Sequence, residues 1–167
     1  MNKPGQQPTP EKKSVWLAEL YPLILDTLSS GGSFKLTVTG TSMIPTLRGG
    51  RDSVVLSRAP EALAKYDLPL YRRRNGSFVL HRVVRVEADG SYTMCGDHQW
   101  RLEQGIRREQ IVGLVTQLER KGRVISVHDR GYLRRVRFWV RVLPLRRVIL
   151  RICILPGSIR RRLTRKV

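Results

Sequence analysis

The chain has 167 residues, of which 41% are hydrophobic, so it can form one compact domain with a core and is not wholly disordered. It carries 32 basic and 13 acidic residues, a formal charge of +19. Residues 120–167 hold 16 of the basic residues and one acid, Asp129, which indicates an anionic partner for this part, either nucleic acid or a membrane surface. Cys95 and Cys153 stand far apart, which argues against a disulfide framework, and we expect reduced thiols.

The N-terminal part predicts a leader followed by a helix. Residues 1–14 are polar and rich in proline, which is typical of a disordered leader. Apolar residues at three- and four-residue spacing predict an amphipathic helix within 15–32, which Pro22 should kink or split. The apolar stretch is too short to span a bilayer, and no small-residue cleavage site follows it, so we reject a signal peptide.

Residues 33–128 predict an antiparallel β domain, either a sandwich or a barrel. From residue 33 apolar and polar residues alternate, as in half-buried strands. The dipeptides Asn75-Gly76, Asp89-Gly90 and Lys121-Gly122 are typical of tight hairpin turns. The strand candidates are 33–39, 53–56, 68–72, 78–86, 91–95, 111–118 and 123–127.

Residues 129–167 predict an Arg-rich amphipathic helical tail, interrupted by Pro144. Its apolar residues fall on one stripe and its arginines on another. Such a helix suits an anionic membrane interface, with its arginines at the headgroups and Phe138 and Trp139 as aromatic contacts. The arginines are Arg134, Arg137, Arg141, Arg147 and Arg151. Two alternatives stay open: the tail binds nucleic acid, or its apolar stripe packs on the β domain with the arginines outward.

One serine stands in a context that suits a nucleophile. Ser42 follows the first predicted strand, between Gly40, which allows a sharp turn and close approach of a substrate, and Pro45, which stiffens the loop. A serine needs a base within hydrogen-bond reach. His81, 39 residues further on, lies in a predicted strand, and Asp97 comes 16 residues after it. Three histidines without a cluster of ligands predict no metal site, and nothing indicates a cofactor.

The segment Gly-Thr-Ser-Met-Ile-Pro-Thr-Leu at 40–47 resembles the nucleophile box of type I signal peptidases and of the wider superfamily that includes LexA-like self-cleaving repressors. The next strand, opening with Arg51-Asp52, is similar to the Gly-Asp strand of that family. His81 stands where the bacterial type has lysine, and histidine there is typical of the endoplasmic-reticulum, archaeal and sporulation subtype. Met-Cys-Gly-Asp-His-Gln at 94–99 resembles that subtype's Gly-Asp-Asn segment. The resemblance covers about residues 34–118.

The resemblance implies a signal-peptidase-like or LexA-like β fold and a role for each residue. Ser42 would be the nucleophile and His81 the general base, with Asp97 as the supporting acid and Glu103 as the alternative. The backbone N–H of Ser42 would stabilise the oxyanion, while Gly40 and Met43 would contact the substrate. Gly40 also stands where some relatives have a second serine donor, so a second oxyanion donor is not identified.

We therefore expect a serine endopeptidase that cuts a leader or signal segment from another polypeptide. Most signal peptidases have a spanning helix; the sequence shows none, so we expect a cytoplasmic protein held peripherally at the inner face of the membrane by its tail. A self-cleaving regulator is an alternative, although it would require a Ser-Lys pair. A non-catalytic binding module on the same fold is another.

Overall fold

The computed structural model describes residues 17–154, apart from the side chains of residues 149 and 151–154. The predicted leader, 1–14, and the last basic cluster of the tail lie outside these residues. The chain opens with one helix, α1 (Leu17–Ser29), which contains Pro22 and continues through it, so the predicted split is wrong. Proline removes a single hydrogen-bond donor, and Pro22 is exposed, so the helix loses one bond and keeps its continuity. Gly31, at φ +82°, follows the end of α1.

Nine strands lie within the described residues, and every pairing between them is antiparallel. They are β1 (Phe34–Thr37), β2 (Ser53–Ser57), β3 (Pro69–Arg72), β4 (Phe78–Leu80), β5 (Arg82–Val86), β6 (Tyr92–Cys95), β7 (Glu103–Ile106), β8 (Ile111–Arg120) and β9 (Arg123–Ser126). The expected mainly antiparallel β domain with an N-terminal helix is confirmed. The sequence did not predict β7, because its residues, Glu-Gln-Gly-Ile, lack apolar alternation.

The larger sheet is curled and has six strands in the order β1-β2-β8-β3-β4, with β9 paired to β8. The central strand β8 pairs with β2 and with β3, and the register shifts by a residue in each pairing. Such bulges increase local twist and bend a sheet. Within the described residues, β1 and β4 each have one partner, so both keep an unpaired edge.

The smaller sheet has three strands in the order β5-β6-β7. The chain passes from the larger sheet to the smaller one between β4 and β5, and His81 is the residue between them. The single strand predicted at 78–86 is therefore two strands. Three predicted turns are confirmed, since Gly76, Gly90 and Gly122 each adopt the positive φ that these hairpins need.

The main core lies between α1, the larger sheet and the first of two C-terminal helices, α2 (Arg130–Arg141). Asp129 caps α2, its side chain accepting a hydrogen bond from the backbone N–H of Tyr132. Tyr132, Val136 and Val140 belong to this core. The apolar stripe of α2 thus packs on the β domain, as one of the alternatives for the tail expected.

The second C-terminal helix, α3 (Leu143–Ile154), reverses the pattern that the sequence indicates. Leu145 and Val148, on the predicted apolar stripe, are exposed, whereas Arg146, on the predicted basic side, is fully buried. Its guanidinium donates to the backbone oxygens of Gly96, Gln99 and Trp139, which explains how an arginine occupies an interior position. No helix within residues 17–154 is long and apolar enough to cross a bilayer.

Candidate active site

Ser42 lies in a tight loop that connects β1 to β2. Gly40 turns the chain at φ +76°, and the Ile44–Pro45 peptide is cis. The loop is closed at its base, where the N–H of Val38 donates to Asp52 O and the N–H of Gly50 donates to Val38 O. Ser42 is half-buried in the wall of a groove. The first strand and its glycine thus place a serine at the point where the chain leaves the sheet.

His81 is held at the junction of the two sheets by its neighbour. Arg82 is fully buried and forms a two-pronged ion pair with Asp97, through Nε to Oδ1 at 3.0 Å and Nη2 to Oδ2 at 2.8 Å. It also donates to the backbone oxygen of Tyr66. These contacts fix the backbone next to His81, and the His81 ring is itself buried.

The chain brings Ser42 and His81 to the same place through Gly96. A Cβ atom at position 96 would lie 2.7 Å from Ser42 O and 3.0 Å from His81 Nε2, so both atoms are close to one point. Only glycine allows this approach. The N–H of His98 also donates to Ser42 O at 2.7 Å. Ser42 and His81 both line the groove, but within residues 17–154 no hydrogen bond joins Ser42 Oγ to the imidazole.

The other nitrogen of His81 faces a hydroxyl and a carboxylate. Tyr71 Oη lies 3.3 Å from Nδ1 and donates to Glu103 Oε2 at 2.8 Å, and Glu103 Oε2 itself lies 4.0 Å from Nδ1. Arg73 donates two hydrogen bonds to the Glu103 carboxylate. Since the Tyr71 proton points to Glu103, its oxygen can accept a hydrogen from Nδ1, which leaves Nε2 unprotonated.

The surroundings set the charge state of these groups. Burial lowers the pKa of His81 to about 4, although the carboxylate of Glu103 partly opposes this, so the imidazole is neutral at pH 7. Burial favours the neutral acid at Glu103, but hydrogen bonds from Arg73 and Tyr71 hold its pKa below the usual range. Burial and Glu103 raise the pKa of Tyr71, which stays protonated. A neutral imidazole is what a general base requires.

Asp97, the first choice for the acid, has other partners. Its carboxylate binds Arg82 and accepts a hydrogen bond from the Thr46 hydroxyl, in the Ser42 loop. Its backbone oxygen accepts a hydrogen bond from Trp139 Nε1 at 2.7 Å. Within the described residues Asp97 makes no hydrogen bond to His81, and the carboxylate on the Nδ1 side of the ring is that of Glu103, the alternative.

The groove that contains Ser42 and His81 has a volume of about 810 Å³. It lies between the unpaired edges of β1 and β4, with Leu17 and Ala18 of α1 also in its wall. Met43 lines the groove as expected, while Gly40 supplies the turn beside it. The lining is mostly apolar. An extended peptide fits such a site, because strand edges offer backbone hydrogen bonds and apolar pockets take alternate side chains.

The predicted tail residues fall into two groups. Four of the predicted arginines are exposed on α2 and α3: Arg134, Arg137, Arg141 and Arg147. Phe138 is also exposed, but Trp139 is turned inward, where its ring lies against Arg146 and its indole N–H binds Asp97 O. Trp139 is therefore not part of an exposed aromatic face, because the β domain supplies its hydrogen-bond acceptor. The side chain of Arg151 lies outside the described residues.

Three residues of this region were not predicted from the sequence. In the sequence, Tyr71 appears only as a core residue of a predicted strand. The two buried arginines, Arg82 and Arg146, occupy sequence positions where an arginine is usually exposed to solvent. The one signal for Arg82 is its position, directly after His81 and in the same alternating run.

Comparison of the chain with protein-family models, with curated protein sequences and with solved structures finds no match.

Proposed function

We propose that this chain is a serine endopeptidase of the signal-peptidase type, which cuts a leader or signal segment from another polypeptide. The observation that carries the proposal is that Ser42 and His81 line one groove, with Nε2 of the neutral imidazole next to the serine backbone and Nδ1 turned toward Tyr71 and Glu103. The resemblance of the segments at 40–47 and 94–99 to signal-peptidase motifs supports the same reaction.

In the proposed reaction Ser42 Oγ attacks the carbonyl carbon of a peptide bond while its proton passes to His81 Nε2. The imidazolium then gives this proton to the departing nitrogen as the carbon–nitrogen bond breaks, which leaves an ester on Ser42. Water attacks the ester and gives a proton to Nε2, and the imidazolium returns this proton to Ser42 Oγ as the bond between the ester carbon and Oγ breaks and the carboxylic acid product leaves. The net change is hydrolysis of one peptide bond.

Two features of the site stabilise charge that develops in this reaction. Within residues 17–154 the backbone N–H of Ser42 makes no hydrogen bond, so it can donate to the oxyanion. The negative charge of Glu103, 4.0 Å from Nδ1, stabilises the imidazolium. We therefore assign Glu103 as the acid that supports His81 and Asp97 as the residue that fixes the loops around it.

We also propose that the protein binds peripherally to the anionic, cytoplasmic face of a membrane through α2 and α3. The exposed side of these helices has three large apolar side chains, Phe138, Leu145 and Val148, with exposed fractions of 64%, 63% and 57%. Exposed arginines lie on the same two helices, and residues 130–148 contain no acid. Apolar side chains among cations suit the boundary between anionic headgroups and acyl chains.

The catalytic proposal is tested by labelling the purified full-length protein with a fluorophosphonate probe. We expect labelling of wild type, none of Ser42→Ala, and a rate at least about a thousandfold lower in His81→Ala, because the hydroxyl then lacks its base. Ser30→Ala, which removes an exposed serine at the end of α1, is the matched control and should label normally. Equal labelling of wild type and Ser42→Ala would leave a non-catalytic binding module as the better description.

A further inference from the structure

A second pocket adjoins the groove at His81. It has a volume of about 630 Å³ and shares Arg73, His81 and Gln99 with the groove, but Ser42 does not line it. The rest of its wall is the segment 100–103, which connects the Asp97 loop to β7. The two cavities therefore meet at the His81 imidazole. The groove includes Ser42, and the second pocket does not.

The chemistry of the lining is specific. Trp100 and Leu102 present large apolar side chains with exposed fractions of 42% and 45%. Arg73 and Glu103 neutralise each other through their ion pair, and His81 is neutral at pH 7. Arg101 is exposed and makes no ion pair within residues 17–154, so it gives this pocket a net positive charge.

The proposed reaction determines which fragment of the substrate each cavity binds. The base must reach the nitrogen of the departing fragment to protonate it, so that fragment lies on the His81 side of the cut bond. The acyl fragment stays bonded to Ser42 and occupies the groove. The fragment that leaves then extends from His81 into the second pocket.

We propose, on the basis of the peptidase function proposed above, that the second pocket binds the first residues downstream of the cut bond. It selects substrates that carry an apolar side chain, packed on Trp100 and Leu102, and an acidic side chain, paired with Arg101, within the first three of these residues. Binding covers two exposed apolar side chains and brings a carboxylate to a cation that lacks one.

The test uses the full-length protein and a proteome-derived peptide library, with cut sites read by mass spectrometry. Cuts that disappear in Ser42→Ala define the activity. Among them we expect apolar and acidic residues to be enriched within three positions downstream. Arg101→Glu should change the ratio of acidic to basic downstream residues by about 1.5- to fivefold, the range for an exposed ion pair, and added salt should weaken the preference.

Two further variants complete the experiment. Trp100→Ala should reduce the downstream apolar enrichment and leave the residues upstream of the cut unchanged. Arg123→Glu, which reverses an exposed charge on β9 outside both cavities, is the control for Arg101→Glu. If Ser42-dependent cuts occur but their downstream residues are the same in wild type, Arg101→Glu and Trp100→Ala, this inference is wrong and the peptidase function stands. A complete lack of Ser42-dependent cuts would overturn both this inference and the peptidase function.

Discussion

At the scale of single residues, the environment of His81 combines two opposing requirements. Burial keeps the imidazole neutral, and therefore able to accept a proton, but it also disfavours the imidazolium that forms when the proton arrives. Glu103 compensates for the second effect from the Nδ1 side, with Tyr71 between the carboxylate and the ring. The arrangement resembles a Ser-His-acid triad in which a phenol also takes part.

The pH dependence of activity follows from this environment. Because the folded pKa of His81 is about 4, below the ordinary 6.5, the base stays neutral down to about pH 4. We expect kcat/KM for a peptide cut by the wild type to rise with pH through about 4 and to be level near neutrality. Glu103→Gln removes the charge that raises this pKa, so the rise should move to lower pH while the plateau falls.

Tyr71→Phe provides the companion measurement. It leaves Nδ1–H without the phenol oxygen as acceptor, a loss of about 1–3 kcal/mol, so kcat should fall by about tenfold to a hundredfold. Tyr92→Phe is the matched control, because Tyr92 is also buried and its hydroxyl accepts a hydrogen bond, from the backbone N–H of Leu63, away from both cavities. Equal effects of the two substitutions on kcat would argue against a role of Tyr71 in catalysis.

The residue scale also shows what the sequence can predict. The two motif segments, with His81 between them, suffice to predict that Ser42 and His81 lie at one site, and to name Glu103 as an alternative acid. The sequence does not distinguish Asp97 from Glu103, because that choice depends on the partner of Arg82, a residue whose burial no pattern indicates. Tyr71 falls in a run of buried strand residues, where an aromatic side chain usually means packing.

At the scale of elements, Asp97 connects four parts of the chain. Its carboxylate binds Thr46 in the nucleophile loop and Arg82 at the start of β5, and its backbone oxygen binds Trp139 on α2. Arg82 in turn donates to the hydroxyl of Tyr132, also on α2. The carboxylate and the backbone oxygen of one residue thus fix the relative positions of the Ser42 loop, the His81 junction and a C-terminal helix.

Asp97→Asn should therefore act mainly on stability. It leaves a buried guanidinium without its counter-ion, and we expect the free energy of unfolding in urea to fall by about 3–5 kcal/mol. Asp89→Asn, in an exposed pair with Arg107, should have a much smaller effect. An unchanged unfolding free energy, together with a shift in the pH–rate profile like that of Glu103→Gln, would instead make Asp97 the supporting acid.

The helices show the limit of periodicity as a guide. In α2 the predicted stripe is correct, since Val136 and Val140 are buried. In α3 the same reasoning gives the wrong face, because backbone oxygens of the 96–99 segment and of Trp139 accept hydrogen bonds from the two terminal nitrogens of Arg146. Backbone acceptors carry no sequence signature, so this contact can be found only in three dimensions.

At the scale of the whole molecule, α2 and α3 have one side in the core and the other in solvent. The inner side contacts the segment that carries Asp97, and the outer side holds Phe138, Leu145 and Val148 among exposed arginines. Attachment to a membrane through the outer side would therefore leave the inner contacts in place. It would hold the groove of the proposed peptidase at a surface where a leader or signal segment could be presented.

Membrane attachment is tested by sedimentation of the full-length protein with vesicles. We expect binding to vesicles with 30% phosphatidylserine, no binding to neutral vesicles, and weaker binding in high salt. Replacing Arg134, Arg137 and Arg141 with glutamine should lower the partition coefficient by about a hundredfold, at about 1 kcal/mol per residue near the surface.

The matched control replaces three exposed basic residues of the β domain, Arg58, Lys121 and Arg123, and should lower partitioning much less. Equal losses of partitioning in the two triple variants would mean that binding depends on the net charge of the protein alone. If the protein binds single-stranded RNA tightly and does not bind vesicles, the nucleic-acid alternative for the tail is favoured.

The position of β8 in the chain has a consequence for synthesis on the ribosome. The strand at the centre of the larger sheet is residues 111–120, whereas its partners β2 and β3 lie at 53–57 and 69–72. More than half of the domain must therefore leave the exit tunnel before β8 can pair with β2 and β3. Until then β2 and β3 expose edges that β8 will later cover, and the groove lined by Ser42 and His81 does not yet exist.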